Sequence, residues 1–157
     1  MATLANEKAR WMGTWQNQRK SVLRIRDVAL FVVPGSSGTQ HFRVTGTYQT
    51  AKGSVPQREE FPVTGFCTDD QIVFSASFRF VEPGQADDDA HSLTTWAGQI
   101  LPLPEDPERQ SLQTLWHLVP SLKKEEQELH YGWVIAWSGE DRFVRLAADP
   151  NFEIPED

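Results

Sequence analysis

The chain has 157 residues, 39% of them hydrophobic, so a single domain can bury a core without help from metal ions or disulfides. Its formal net charge of -7 and its clustered acidic residues argue against a nucleic-acid partner, and no apolar run approaches the roughly 20 residues of a membrane-spanning helix. The single cysteine, Cys67, excludes an internal disulfide and any cysteine-based metal cluster within one chain.

Apolar and polar residues alternate along most of the chain, and no long stretch has helical spacing. One alternating set runs from Trp15 to Ile25 and another from Ile72 to Phe80, and each predicts one face of a strand. Turn signals divide the chain into eight segments; they lie at 34–38, 51–56, 68–71, 83–89, 102–107, 121–126 and 138–141. We therefore predict an all-β fold, an eight-stranded antiparallel up-and-down β-barrel, whose interior can hold one small ligand.

The chain divides into three parts in this interpretation. Residues 1–11 form an N-terminal arm, residues 12–148 form the barrel domain, and residues 149–157 form an acidic tail that we expect to be disordered. The N-terminal residues lack the apolar region of a secretory signal. We therefore expect a cytoplasmic protein, or a secreted or periplasmic one if an export signal has been removed.

Five short motifs follow one another along the predicted strands. They are GTWxN from Gly13 with a serine at Ser21, TGTYxTA from Thr45, HSxTTWxGQ from His91, TxWxL from Thr114, and Trp133 placed eight residues before Asp141. In this order and spacing they resemble the avidin and streptavidin family of biotin-binding barrels. The resemblance extends from Gly13 to Phe143 and so covers nearly the whole predicted barrel.

The resemblance implies a pocket for biotin, whose cyclic urea requires polar partners and whose ring requires apolar walls. It implies that Asn17, Ser21 and Tyr48 donate hydrogen bonds to the ureido oxygen, a preorganised cluster of donors that favours an oxyanion-like form. Asp141 would accept a charge-assisted hydrogen bond from one ureido N–H, and Thr50 would accept from the other.

The same resemblance assigns the rest of the pocket. Thr94 would face the ring sulfur, while Ser92 and the backbone N–H of Ser54 would hold the tail carboxylate. Trp133 would close the site of a neighbouring subunit. The apolar walls would come from four residues: Phe78, Trp96, Trp116 and Leu118.

Strand parity supports this pocket independently of the resemblance, because the polar residues of the motifs share the inward parity with the aromatic ones. Taken singly, a Ser or Thr on a strand is more typical of cross-strand pairing. If such polar groups are buried without hydrogen-bond partners, each would lower the stability of the fold by about 1 to 3 kcal/mol. A polar ligand or buried water would remove that cost.

Arg19 departs from the family pattern, which usually has a small apolar residue at this position, and strand parity places Arg19 on the inward face. It could pair with Asp141 or another carboxylate, which would weaken the urea site or indicate a different, acidic ligand. A local bulge could instead turn it outward. Lys52 in the loop after the second motif and Phe78, which replaces a common Trp, are smaller departures.

Three other functions compete with biotin binding. An enzyme is disfavoured because His91 and His117 have outward parity and no Ser, His and Asp set shares a face. A lipocalin-like carrier is disfavoured because its interior would be more uniformly apolar. A purely structural oligomeric module is the third alternative, and Arg19 is the residue that favours it. We therefore predict a non-catalytic protein without cofactor or metal, whose ligand is biotin.

The outward parity of the last strands indicates a homo-oligomer. Leu115, Val119, Val134 and Ala136 give these strands apolar residues on the outside, where a monomer would have polar ones. The resemblance implies a homotetramer. Glu140 also has outward parity, and two-fold symmetry would bring such carboxylates together, so a dimer is the alternative.

Overall fold

The structure is a computed structural model that describes residues 3–32, 34–35, 40–51, 59–81, 89–120 and 137–146. Within these residues the chain forms one helix, α1 (Leu4–Trp11), and eight strands: β1 (Gly13–Asn17), β2 (Val22–Phe31), β3 (His41–Gln49), β4 (Phe61–Thr68), β5 (Gln71–Val81), β6 (Asp89–Leu103), β7 (Asp106–Pro120) and β8 (Trp137–Arg145). The described helix is too short and too polar to cross a membrane.

Each strand pairs antiparallel with the next strand along the chain, and β1 also pairs with β8, so the sheet closes into a barrel. The predicted eight-stranded antiparallel up-and-down barrel is confirmed. In this topology the β1–β2 connection lies at one end of the barrel, here called the hairpin end. The β4–β5 turn at Asp69 and Asp70 lies at the other end, together with α1, and we call this the helix end.

Strict alternation of side chains builds the core. In β4 the residues Phe61, Val63, Gly65 and Cys67 are buried, and each residue between them is exposed. Because successive side chains of a strand point to opposite faces of the sheet, the apolar set of every strand meets inside the barrel. The largest fully buried side chains are aromatic, among them Trp11, Trp15, Phe42, Phe74 and Phe143.

The structure corrects the prediction at three places. The alternating set from Trp15 to Ile25 belongs to two strands, because a tight turn at residues 18–20 separates β1 from β2. The turn contains no Gly or Pro, and Lys20 takes the left-handed conformation with φ 71°. The turn predicted at 138–141 is wrong, since these residues lie inside β8. Helix α1 lies in the predicted N-terminal arm, where no helix was expected.

Helix α1 is anchored at the helix end of the barrel by its last turn. The side chain of Thr3 caps its first turn by accepting from the backbone N–H of Asn6 at 3.2 Å. The indole Nε1 of Trp11 lies 3.2 Å both from Glu7 Oε2 and from the backbone oxygen of Asp69. Glu7 is fully buried, and its Oε1 accepts from Arg10 Nη1 at 2.7 Å. This network joins α1 to the β4–β5 turn.

Replacing Trp11 by Ala should destabilise the fold by about 3 to 5 kcal/mol, the usual cost of truncating a fully buried aromatic side chain. The change also removes the indole donor from the buried Glu7 carboxylate. Chemical denaturation measures the difference in unfolding free energy. Leu4→Ala, at an exposed position of the same helix, is the matched control and should change stability by less than about 1 kcal/mol. Equal effects of the two variants would show that α1 does not anchor the barrel.

Candidate ligand-binding site

Buried polar side chains gather inside the barrel near its hairpin end. Asn17 ends β1, Tyr48 lies near the end of β3, and Asp141 lies on β8, next to β1 in the closed sheet. All three are buried, as are Ser21 and Thr50. The sequence-predicted polar residues at these five positions therefore share one region of the interior.

The orientation of Asn17 is set by the β1–β2 turn. Its Oδ1 atom accepts from the backbone N–H of Arg19 at 3.0 Å and from that of Ser21 at 2.9 Å. Because both backbone donors bind Oδ1, the Nδ2 group points the other way and lies 3.5 Å from the hydroxyl of Tyr48. The turn thus presents Asn17 to the interior as a hydrogen-bond donor.

Tyr48 is held protonated by its surroundings. Burial raises its pKa from 10.0 to about 12, against the opposing effect of a hydrogen bond with Ser21. The hydroxyl therefore remains a donor at neutral pH. Ser21 Oγ also accepts from the backbone N–H of Ala51 at 3.1 Å, which fixes the start of β2 beside the end of β3.

Asp141 is the buried carboxylate of the site, with 5% of its surface exposed. Its Oδ2 atom accepts from the indole Nε1 of Trp96 at 3.1 Å, and its Oδ1 lies 3.4 Å from Gln18 Nε2. Its backbone oxygen accepts from Thr114 Oγ1 at 2.9 Å. Burial raises the pKa of Asp141 above the ordinary 3.8, although the Trp96 hydrogen bond and Arg19 act in the opposite direction.

Aromatic rings form the apolar part of the same region. The ring of Tyr48 lies 4.8 Å from that of Trp96 and 5.8 Å from that of Phe78, measured between centroids. Trp96 also stacks on Phe74 at 4.9 Å. The polar groups therefore adjoin a continuous aromatic wall.

The remaining predicted residues lie on β6 and β7. Thr94 pairs with Leu118 and Trp96 with Trp116 in the sheet register, while Ser92 pairs with Phe78 across β5 and β6. Thr94 is buried, and Ser92, Trp116 and Leu118 are partly buried. Two buried atoms, Thr94 Oγ1 and Trp116 Nε1, have no hydrogen-bond partner among the described residues. Ser54 and Trp133, like Lys52, lie outside the described residues.

Arg19 lies in the β1–β2 turn, where the strand parity that placed it inside is interrupted. Its side chain is 48% exposed, and its Nη1 atom lies 3.9 Å from Asp141 Oδ1. The guanidinium carbon lies 5.8 Å from the centre of the Trp116 ring. Of the alternatives for Arg19, the structure has an ion-pair contact between a half-exposed guanidinium and the buried Asp141 carboxylate.

Two residues of the site were missed by sequence reasoning. Gln18 contacts Asp141 and also accepts from the backbone N–H of Arg142 at 2.9 Å, but nothing in its exposed turn position indicates this role. At Gly139 a Cβ atom would lie 2.5 Å from the Trp116 ring, so only glycine lets that ring lie against β8. A glycine inside an alternating strand indicates such a close approach, but it was interpreted as part of a turn.

An open groove of about 830 Å³ runs along β5 to β8, and Gln18, Thr114 and Asp141 of the region described above also line it. Outward-facing residues line most of it, among them Gln99, Gln113, Glu140 and Arg142. Its lining lacks the aromatic wall and the Asn17 and Tyr48 donors, so we do not assign the site to it. Among the described residues no group of His, Cys, Asp and Glu could hold a metal ion.

The sequence model of the avidin family matches residues 5–146. The chain belongs to the avidin family. The match covers α1 from its second residue and every strand of the barrel, and it confirms the resemblance that the five motifs indicate.

Solved structures of similar proteins share the barrel. Xenavidin is 27% identical, with a TM-score of 0.56 over 86% of this chain and 96% of xenavidin. A biotin binding protein from chicken is 19% identical, with a TM-score of 0.56 over 89% of this chain and 98% of that protein. Rhizavidin in complex with biotin is 18% identical, with a TM-score of 0.54 over 92% and 99% of the two chains. None of the curated proteins matches this chain.

Because the pKa of Asp141 is raised, the stability of this avidin-family barrel should depend on pH. A folded-state pKa above 3.8 means that folding favours the protonated carboxyl, so its contribution to stability is complete below that pH. The contribution is lost as pH rises through the folded-state pKa. Asp141→Asn, which does not titrate, should therefore raise the thermal midpoint without ligand at about pH 7, and the gain should shrink towards about pH 3.5. A loss of stability at neutral pH would contradict this.

Proposed function

We propose that this chain binds biotin non-covalently inside its barrel and catalyses no reaction. The observation that carries the proposal is the convergence of buried donors and a buried carboxylate beside an aromatic wall. Asn17 Nδ2 and the Tyr48 hydroxyl supply donors, and Asp141 supplies an acceptor. A cyclic urea presents the complementary set, one acceptor oxygen and two N–H donors in a rigid plane.

The polarity of the interior favours a polar ligand over an apolar one. Thr94 Oγ1 and Trp116 Nε1 lack partners among the described residues, and an unpaired buried polar atom costs about 1 to 3 kcal/mol. A ligand that is apolar throughout would leave both atoms unpaired and would cover the Asp141 carboxylate without bonding it. A ligand with a polar head and an apolar ring satisfies both halves of the site.

Relatives support the choice of biotin. Rhizavidin and a shwanavidin variant are known as biotin complexes, and both share the barrel with this chain at 18% and 21% identity. Identity at this level supports the fold, so the case for biotin rests on the site residues themselves. The motif residues that would bond the urea are present at Asn17, Ser21, Tyr48, Thr50 and Asp141.

The rest of the proposed pocket follows the family pattern. Thr94 faces the ring sulfur, Ser92 and the backbone of Ser54 hold the tail carboxylate, and Trp133 of one subunit closes the pocket of another. The proposed walls are Phe78, Trp96, Trp116 and Leu118. Leu115 and Val119 lie on the outer face and are 59% and 47% exposed. Such exposed apolar residues support a homo-oligomer, either a tetramer or a dimer.

Isothermal titration with biotin is the first test, and it should show one biotin bound per chain. Tryptophan emission should shift or be quenched at the same stoichiometry, because Trp96 and Trp116 would lie against the ligand. Absence of both heat and a fluorescence change at a biotin concentration well above that of the protein would refute the proposal.

Replacing Asp141 by Ala should weaken biotin binding by about 1.5 to 3 kcal/mol, the range for a hydrogen bond to a charged group. Asp27→Ala removes an exposed carboxylate from the outside of β2 and serves as the matched control for the change in net charge. The control should bind biotin like the wild type. Equal affinities of all three proteins would show that Asp141 does not bond the ligand.

A further inference from the structure

Arg19 places a cation directly at the carboxylate that the ligand is proposed to use. The backbone N–H of Arg19 is bound to Asn17 Oδ1 at 3.0 Å, which fixes the residue at the hairpin end. From there its guanidinium reaches to within 3.9 Å of Asp141 Oδ1 and lies near the face of the Trp116 ring. Arg19 therefore contacts both a polar and an aromatic residue of the proposed pocket.

The Oδ1 atom of Asp141 is the acceptor at issue. Trp96 already binds Oδ2 at 3.1 Å, and Gln18 lies 3.4 Å from Oδ1. A ureido N–H that bonds Asp141 has to share Oδ1 with Gln18 and Arg19, or displace one of them. A guanidinium and a urea are both planar groups that can donate N–H bonds to a carboxylate, so both can compete for Asp141 Oδ1.

We propose that Arg19 is an intramolecular competitor of the ligand: its guanidinium forms an ion pair with Asp141 Oδ1 at 3.9 Å, and this ion pair weakens the bond between a ureido N–H and that carboxylate. This rests on the proposed function and adds a determinant of affinity to it. The Arg19 side chain is half exposed, so it can swing into solvent when the ligand arrives. An ion pair at 3.9 Å whose cation is half exposed and a cation–π contact at 5.8 Å each contribute a modest energy, which sets the size of the effect.

Removing the guanidinium should strengthen biotin binding. We expect Arg19→Gln to bind biotin about three- to tenfold more tightly than the wild type in about 0.1 M salt. Lys20→Gln, at the exposed neighbouring residue of the same turn, removes the same charge without touching Asp141, and should stay within about twofold of the wild type. Titration calorimetry measures all three affinities.

Salt dependence separates competition from a change in shape. Raising the ionic strength from about 0.1 to 1 M shortens the Debye length from roughly 10 to 3 Å and weakens an ion pair whose cation is half exposed. The difference in biotin affinity between wild type and Arg19→Gln should therefore be smaller at high salt. The affinity of Lys20→Gln should stay close to that of the wild type at both salt concentrations. An Arg19→Gln variant that binds biotin equally or more weakly at about 0.1 M salt would overturn the competition while leaving the proposed function intact.

A second measurement tests the contact without any ligand. A double-mutant cycle with Arg19→Gln and Asp141→Asn, followed by chemical denaturation, should show a favourable coupling between the two residues. Additive effects would overturn the contact. Absence of biotin binding in the wild type, Arg19→Gln and Lys20→Gln together would refute the proposed function and the competition with it.

Discussion

Closure of the sheet between β1 and β8 is the constraint on which the rest of this structure depends. β1 is the shortest strand, yet it pairs with β2 on one side and with β8 on the other, through Trp15 opposite Arg145 and Asn17 opposite Phe143. The guanidinium of Arg145 lies 4.6 Å from the centre of the Trp15 ring and also donates to the backbone oxygens of Ala9 and Arg10 in α1. One seam therefore joins the first strand, the last strand and the helix, and without it β1 and β8 would be open edges.

The same closure makes a polar site possible in a small apolar core. Asn17 and Asp141 are far apart in sequence, and pairing of β1 with β8 brings their strands together at the hairpin end. At the helix end, α1 and buried aromatic residues supply apolar packing. The indole Nε1 of Trp15 donates a hydrogen bond to the backbone oxygen of Trp11 at 3.0 Å. The raised pKa values of Tyr48 and Asp141 report the cost of burying polar groups at the other end. A barrel stabilised at one end can thus tolerate buried polar groups at the other.

Much of this fold could be predicted from the sequence, because a period-two pattern is a direct consequence of strand geometry and persists in strands such as β4 and β5. The places where the sequence-based prediction fails have physical causes. Helix α1 has only eight residues, too few to show a helical period, and it is stabilised by the Trp11–Glu7 bond within the helix and by the tertiary bond of Trp11 to Asp69. The first turn has no Gly or Pro, since side-chain hydrogen bonds of Asn17 replace them, so strand parity was carried through Arg19. The residues of the candidate site are proposed from motif resemblance, whereas contacts such as that of Gln18 depend on register and cannot be derived from composition.

We propose that the buried polar cluster at the hairpin end bonds the cyclic urea of biotin, and a crystal structure of the full chain grown with biotin would test this. The proposed function predicts that the ureido oxygen lies within hydrogen-bond distance of Asn17, Ser21 and Tyr48, that one ureido N–H bonds Asp141, and that Arg19 has moved away from that carboxylate. Biotin bound in the groove outside β5 to β8, or biotin inside the barrel with its urea away from Asp141, would contradict it.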